Sequence, residues 1–245
     1  MDARSDTGMR PPFTQFRNRL RARDPLLGTF VKLPTTQAIE IFGSIGFDFV
    51  VIDQEHAPLG RAEVDLMVLG ARASNVAPLV RVGDASDAAV LSALDCGASG
   101  IMFPHVSSVE KARAVAASCH YAGGTRGFAS MSRASNWGSR RGAEHMRTQD
   151  AEVACVAMIE DVEAVDRAYE IASVEGIDAL FVGRGDLAAS FGDDPQAGVK
   201  VAALTESVAG AARRAGVPLM MLATSKADAD NARQLGATAS VYLRK

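Results

Sequence analysis

Cysteine is scarce in this chain. Cys96, Cys119 and Cys155 are the three among 245 residues. Odd in number, widely spaced and without a Cys-x-x-Cys pair, they argue against a disulfide framework or a zinc knuckle and read as core thiols. A basic excess is also lacking. The 26 Lys and Arg stand against 29 Asp and Glu, a formal net charge of −3, so the charge footprint that nucleic-acid binding requires is missing. No stretch approaches the roughly 18 uninterrupted apolar residues of a membrane span, and the N-terminus, with Asp2, Arg4, Asp6 and Arg10, holds no apolar signal-peptide core. The expectation is a soluble, cytoplasmic protein with neither nucleic acid nor membrane as partner. Nucleotide fingerprints are absent too: the first strand–turn–helix lacks Gly-x-Gly-x-x-Gly, no P-loop occurs, and Gly183-Arg184-Gly185 stops short of the third glycine.

What the chain does have is apolar residues, at 48%, enough for a large core. Residues 1–24 read as a polar lead-in followed by a short amphipathic helix, with Phe13, Phe16 and Leu20 at helical spacing among arginines. From 25 to 245 the pattern alternates. Strand-like runs lie at 27–32, 48–53, 78–82, 100–105, 153–160, 178–183, 218–223 and 238–243, and helical stretches at 35–45, 60–74, 85–96, 108–119, 161–174, 199–215 and 225–235. Strands alternating with helices imply parallel pairing, and eight such units predict a single α/β domain, a (β/α)8 TIM barrel. An open doubly wound sheet is the alternative. Two irregularities stand out. Residues 121–152, rich in Gly, Ser and Arg and containing Trp137, read as a flap, and the eighth strand is followed by too few residues for an eighth outer helix.

In such a barrel the chemistry gathers at the C-terminal ends of the strands. Asp53-Gln54-Glu55-His56 follows the apolar run 47–52, and three other predicted strands end near Arg81, Glu160 and Asp186. Glu160 and Asp186, two carboxylates from neighbouring strand ends, suit a hard divalent cation such as Mg2+ or Mn2+. His56 fits a general base, with Asp53 three residues earlier able to fix its tautomer. Arg81 supplies a fixed charge for a carboxylate or enolate oxygen. Each has a plainer reading, as an ion-pair partner, a turn histidine or a helix cap. His105, His120 and His145 read as structural, and Met220-Met221 as barrel filling.

Asp53-x-Glu55-His56-Ala57-Pro58, Val80-Arg81-Val82, Arg126-Gly127, Met158-Ile159-Glu160 and Gly183-Arg184-Gly185-Asp186-Leu187 together resemble the motifs of the HpcH/HpaI family of class II pyruvate aldolases, in order from about Leu26 to Val241. The resemblance implies a (β/α)8 barrel, a divalent metal (Mg2+ or Mn2+, with Co2+ possible), and aldol chemistry through an enolate of pyruvate or a related 2-oxo acid. By that resemblance Glu160 and Asp186 are metal ligands, His56 is the base with Asp53 behind it, and Arg81 stabilises the enolate. The backbone amides of Gly185 and Asp186 would hold the substrate carboxylate, and Asp95 is a supporting acid supplied to a neighbouring subunit.

The chain departs from the family pattern at Met158, where many relatives have glutamine, at Gly123-Gly124-Thr125-Arg126-Gly127, and at Arg184, where proline is common. The last two changes resemble a branch acting on hydroxypyruvate and a branch recruited as a citrate synthase in siderophore assembly. The leading expectation is therefore a carbon–carbon lyase that cleaves or forms 4-hydroxy-2-oxo acids. Condensation of an acetyl donor with oxaloacetate is the alternative, and a non-catalytic binding barrel the third. A homo-oligomer is expected, a hexamer by resemblance. The reason from the sequence is an apolar groove beside the first and eighth strands, to be filled by the helix around Phe13, Phe16 and Leu20 or by a neighbouring subunit.

Overall fold

The structure, a computed structural model, describes residues 11–243; the first ten residues of the lead-in lie outside them. A 3-10 turn (Phe13–Gln15) and α1 (Phe16–Arg21) precede β1 (Leu26–Val31) and α2 (Thr36–Ser44). Then follow β2 (Phe49–Asp53), α3 (Arg61–Ala73), β3 (Ala77–Arg81), α4 (Asp87–Asp95), β4 (Gly100–Phe103), α5 (Val109–Cys119) and α6 (Gly142–Glu152). The second half holds β5 (Ala154–Ile159), α7 (Val162–Val165), α8 (Ala168–Ala172), β6 (Ala179–Val182), α9 (Arg184–Ala189), α10 (Ala197–Ala215), β7 (Leu219–Ala223), α11 (Lys226–Gln234) and β8 (Ala237–Tyr242). All eight strands pair in parallel with their sequence neighbours, and β8 closes onto β1. The fold is a (β/α)8 barrel, as the alternation predicts. Among the described residues no helix follows β8.

Side-chain alternation organises the barrel in two layers. Phe49, Val51, Leu79, Met102, Val156 and Met220 fill the interior. Val50, Ile52, Val80, Ile101, Leu180 and Met221, one position out of phase, join the shell between strands and helices. Strands such as β2 and β5 are thus buried on both faces, which is why the sequence shows continuous apolar runs there rather than alternation.

Two expectations are corrected. The helix around Phe16 and Leu20 does not lie in a groove beside β1 and β8. It closes the N-terminal mouth of the barrel, where Phe16 and Leu20 join the interior cluster and the Phe16 ring sits 5.3 Å from that of Phe49. Arg17 Nε donates to Asp178 at 2.9 Å, just ahead of β6. An amphipathic stripe fixes that a face is buried and leaves open what buries it. The outward side chains beside β1 and β8 include Thr29 and Ser240, with the Thr29 hydroxyl donating to the Tyr242 carbonyl at 2.8 Å, so this surface is more polar than the predicted apolar groove.

The second correction concerns 121–152, whose last third is α6 rather than loop. That helix buries His145 and Gln149 instead of an apolar stripe, and hydrophobic periodicity has nothing to find there.

Candidate active site

The alternation that fills the barrel also aims its upper rim. On β1 the inward positions run through Phe30 to Lys32, on β2 through Val51 to Asp53, on β3 through Leu79 to Arg81, and on β5 through Met158 to Glu160. Four charged side chains from strands far apart in sequence therefore converge at the C-terminal mouth. The register of β2 and β3 sets Asp53 directly beside Arg81.

Asp53 is fully buried. Arg81 grips it with two hydrogen bonds, Nε to Oδ1 at 2.9 Å and Nη2 to Oδ2 at 2.7 Å. Lys32 Nζ stands 3.3 Å from Oδ2, and the backbone N–H groups of Glu55 and His56 both donate to Oδ1 at 3.2 Å. Burial alone would raise the Asp53 carboxyl pKa; the Arg81 hydrogen bonds and charge, the His56 N–H and Lys32 outweigh it and hold the carboxyl below its ordinary range. Arg81 also faces Glu55, with Nη1 3.0 Å from Oε2, and its guanidinium lies 4.9 Å over the Phe30 ring. The structure thus joins Asp53 to Arg81 and to the backbone of His56. The carboxylate beside the His56 ring is that of Glu55, 3.7 Å from Nε2.

Glu160 is 1% exposed. Its Oε1 accepts the His105 N–H at 2.8 Å, while its Oε2 has no hydrogen-bond partner. A Cβ at Gly183 would stand 2.4 Å from that Oε2, so only glycine leaves room for the carboxylate there. Burial first, with the charges of Asp186 and Glu55 adding to it, pushes the Glu160 pKa up to about 7 against the pull of the His105 N–H and charge. A buried, orphaned carboxylate oxygen facing more acids fits a divalent cation in the pocket. Glu55, His105 and Glu160 offer ligand atoms that lie within 4.8 Å of one another. Asp186 is close enough to bear on Glu160 and sits in the first turn of α9. Arg184, beside it, points away, gripping Asp228 at 2.9 and 3.0 Å and tying the start of α9 to α11.

Lys32, Glu55 and His105 are groups at the mouth to which the sequence assigns no role. Glu55 lies within the Asp53–Pro58 motif, and that is a usable signal. His105 has a weaker one, its place at the end of the predicted strand 100–105, which allows reach into the pocket but also a structural role; its orientation depends on a left-handed backbone (φ 53°) after β4. Asp95 lies elsewhere, at the end of α4 that points back toward the N-terminal face. Burial raises its pKa, with Arg126, Arg61, His145 and Ser132 around it pulling the other way.

The Glu160 shift has a consequence for stability. An acid with a folded pKa near 7 and an ordinary one of 4.5 binds more protons folded than unfolded in that window, so the metal-free protein should lose stability as pH rises through it, by at most about 1.4 kcal/mol per pH unit. Urea midpoints of chelator-treated protein at pH 5 and pH 7 check this. Wild type should lose more than Glu160→Gln between the two, and a difference that does not change with pH would contradict the burial argument.

Comparison with known proteins agrees with this geometry. The sequence pattern of the HpcH/HpaI aldolase/citrate lyase family matches residues 26–241. The pyruvate aldolase of Rhizobium etli is 33% identical over 230 residues, covering 93% of this chain and 90% of that protein. The hydroxypyruvate/pyruvate aldolase of Paraburkholderia phytofirmans is 34% identical, covering 90% and 87%. A crystal structure of an HpcH/HpaI aldolase/citrate lyase family protein from Burkholderia cenocepacia J2315 superposes with a TM-score of 0.86 at 32% identity, over 94% of this chain and 92% of the other. The chain belongs to the HpcH/HpaI aldolase/citrate lyase family.

Proposed function

We propose that this lyase cleaves and forms 4-hydroxy-2-oxo acids at the C-terminal mouth of its barrel, with pyruvate or hydroxypyruvate as the 2-oxo acid and an aldehyde as the second partner. The observation that carries the reading is the buried Glu160 carboxylate with its unpartnered Oε2, set beside an arginine locked by Asp53. Glu160 and Asp186 would hold a divalent cation, with Glu55 in reach. When bound, that ion supplies Lewis acidity toward the 2-oxo group.

The remaining chemistry falls to the chain. Arg81, held rigid by Asp53 and Phe30, presents its remaining N–H groups to the oxygen on which negative charge develops. The first-turn amides of Gly185 and Asp186 receive the substrate carboxylate, and a Cβ at Gly185 would meet nothing within 4 Å, so the approach is open. In cleavage His56 takes the proton from the 4-hydroxyl, the C3–C4 bond breaks, the aldehyde leaves, and C3 is then protonated. His56→Ala should lower turnover on the order of 10²- to 10⁴-fold. An unchanged rate in the folded variant would give the base role to another group.

A second reading, condensation of an acetyl donor with oxaloacetate, rests on Met158, an apolar side chain 2% exposed where a hydrogen-bonding group would grip the oxo acid. Two incubations separate them: pyruvate with glyceraldehyde, and oxaloacetate with acetyl-CoA. Product from the first alone supports the aldolase; product from the second alone would overturn it. A homo-oligomer belongs to the same proposal, supported by Ile41 on α2, Ile45 just after it and Leu66 on α3, which stand 57%, 63% and 57% exposed.

A further inference from the structure

His105 is a group in the mouth whose placement the reaction above does not use. It holds a left-handed backbone (φ 53°), rare for a residue with a side chain, and such conformations persist where the surroundings over-determine them. Two contacts do so here. Its N–H donates to Glu160 Oε1 at 2.8 Å, and its Nδ1 lies 3.0 Å from Asp161 Oδ1. An Nδ1–H given to Asp161 leaves the lone pair on Nε2.

That nitrogen faces Glu55 Oε1 at 3.8 Å. The separation is too long for a hydrogen bond, yet it falls inside the roughly 4.2 Å that can separate a pair of donors when each is about 2.1 Å from a shared cation. Glu160 completes the group: its Oε1 is 3.7 Å from His105 Nδ1, its Oε2 is buried and unpartnered, and one ligand atom from each of the three residues lies within 4.8 Å of the others. A carboxylate that fixes one ring nitrogen while the other faces a further acid is the arrangement by which proteins orient a metal-binding histidine.

We infer that His105 Nε2 is a nitrogen ligand to the cation held at Glu160, with Glu55 as a further oxygen donor and Asp161 as the carboxylate that orients the ring. The inference rests on the proposed function only in placing a cation at Glu160. A mixed nitrogen and oxygen donor set shifts preference from Mg2+, which favours oxygen ligands and bound water, toward Mn2+ and Co2+.

Two measurements on the full chain test it, neither of them an activity. The first is pulsed electron paramagnetic resonance of the Mn2+-loaded protein, which reads 14N coupling from a ligated imidazole. Coupling should appear in wild type and in His56→Gln and vanish in His105→Asn, a change chosen because asparagine tolerates the left-handed backbone. The second is calorimetric titration with Co2+ and with Mg2+. His105→Asn, and Asp161→Asn as a variant that leaves the ring in place, should weaken Co2+ binding on the order of 10- to 100-fold and change Mg2+ binding much less. Mn2+ bound without nitrogen coupling, or coupling that survives His105→Asn, overturns the inference and leaves the proposed function standing. Failure of wild type to bind Mn2+ at all overturns both.

Discussion

Glu160→Gln will fold and will be inactive, with turnover down on the order of 10³-fold or more. Gln matches the shape of Glu and keeps an acceptor for the His105 N–H, but it removes the buried negative charge that offsets a divalent cation. A lost Lewis acid is worth several kcal/mol of transition-state stabilisation. The same change should not unfold the protein. Glu160 is 1% exposed with an unpartnered oxygen, so its charge is a cost to the metal-free fold and the amide relieves some of it. The expected signature is a melting temperature of the chelated variant equal to or above that of chelated wild type, together with lost metal affinity in titration calorimetry. Substantial activity in the variant would remove Glu160 from the cation site.

Asp53→Ala should be the most destabilising of the site changes, by about 3–5 kcal/mol, because it strands the buried Arg81 guanidinium and removes the acceptor for two backbone N–H groups. Arg81 would lose both of its hydrogen bonds to Asp53, at 2.9 and 2.7 Å, and with them its aim. Activity falls through Arg81, and this separates the structural account from the sequence expectation that Asp53 serves the His56 ring. In a double-mutant cycle the activity losses of Asp53→Asn and Arg81→Ala should be strongly non-additive, while those of Asp53→Asn and His56→Ala should nearly add. Arg81→Lys should recover little, since an ammonium cannot offer two parallel donors to Asp53 while facing substrate. The reverse pattern of coupling would return Asp53 to His56.

Much of this molecule is legible before any coordinates. The strands are, because β2 and β5 are buried on both faces and leave unbroken apolar runs, and the inward parity of those runs carries through to Asp53, Arg81 and Glu160. What stays hidden depends on direction rather than composition. The stripe of Phe16 and Leu20 predicts a buried helix but not that it plugs the N-terminal mouth. Helix α6 escapes because it buries polar residues. The partner of Asp53 cannot be read from spacing, since His56 is three residues away in sequence while Arg81, 28 residues away, is the neighbour in register. His105 turns toward Glu160 through a backbone conformation that no periodicity signals.

The central claim is that this strand-end cluster, with a divalent cation, generates the enolate of a 2-oxo acid. Proton NMR of pyruvate in D2O reads it without any aldehyde present. The account predicts that the methyl signal exchanges into deuterium when protein and Mn2+ or Co2+ are supplied, and that exchange stops on chelation and in Glu160→Gln. Metal-replete wild type that leaves the methyl group unexchanged, or exchange that continues unabated in Glu160→Gln, would contradict it.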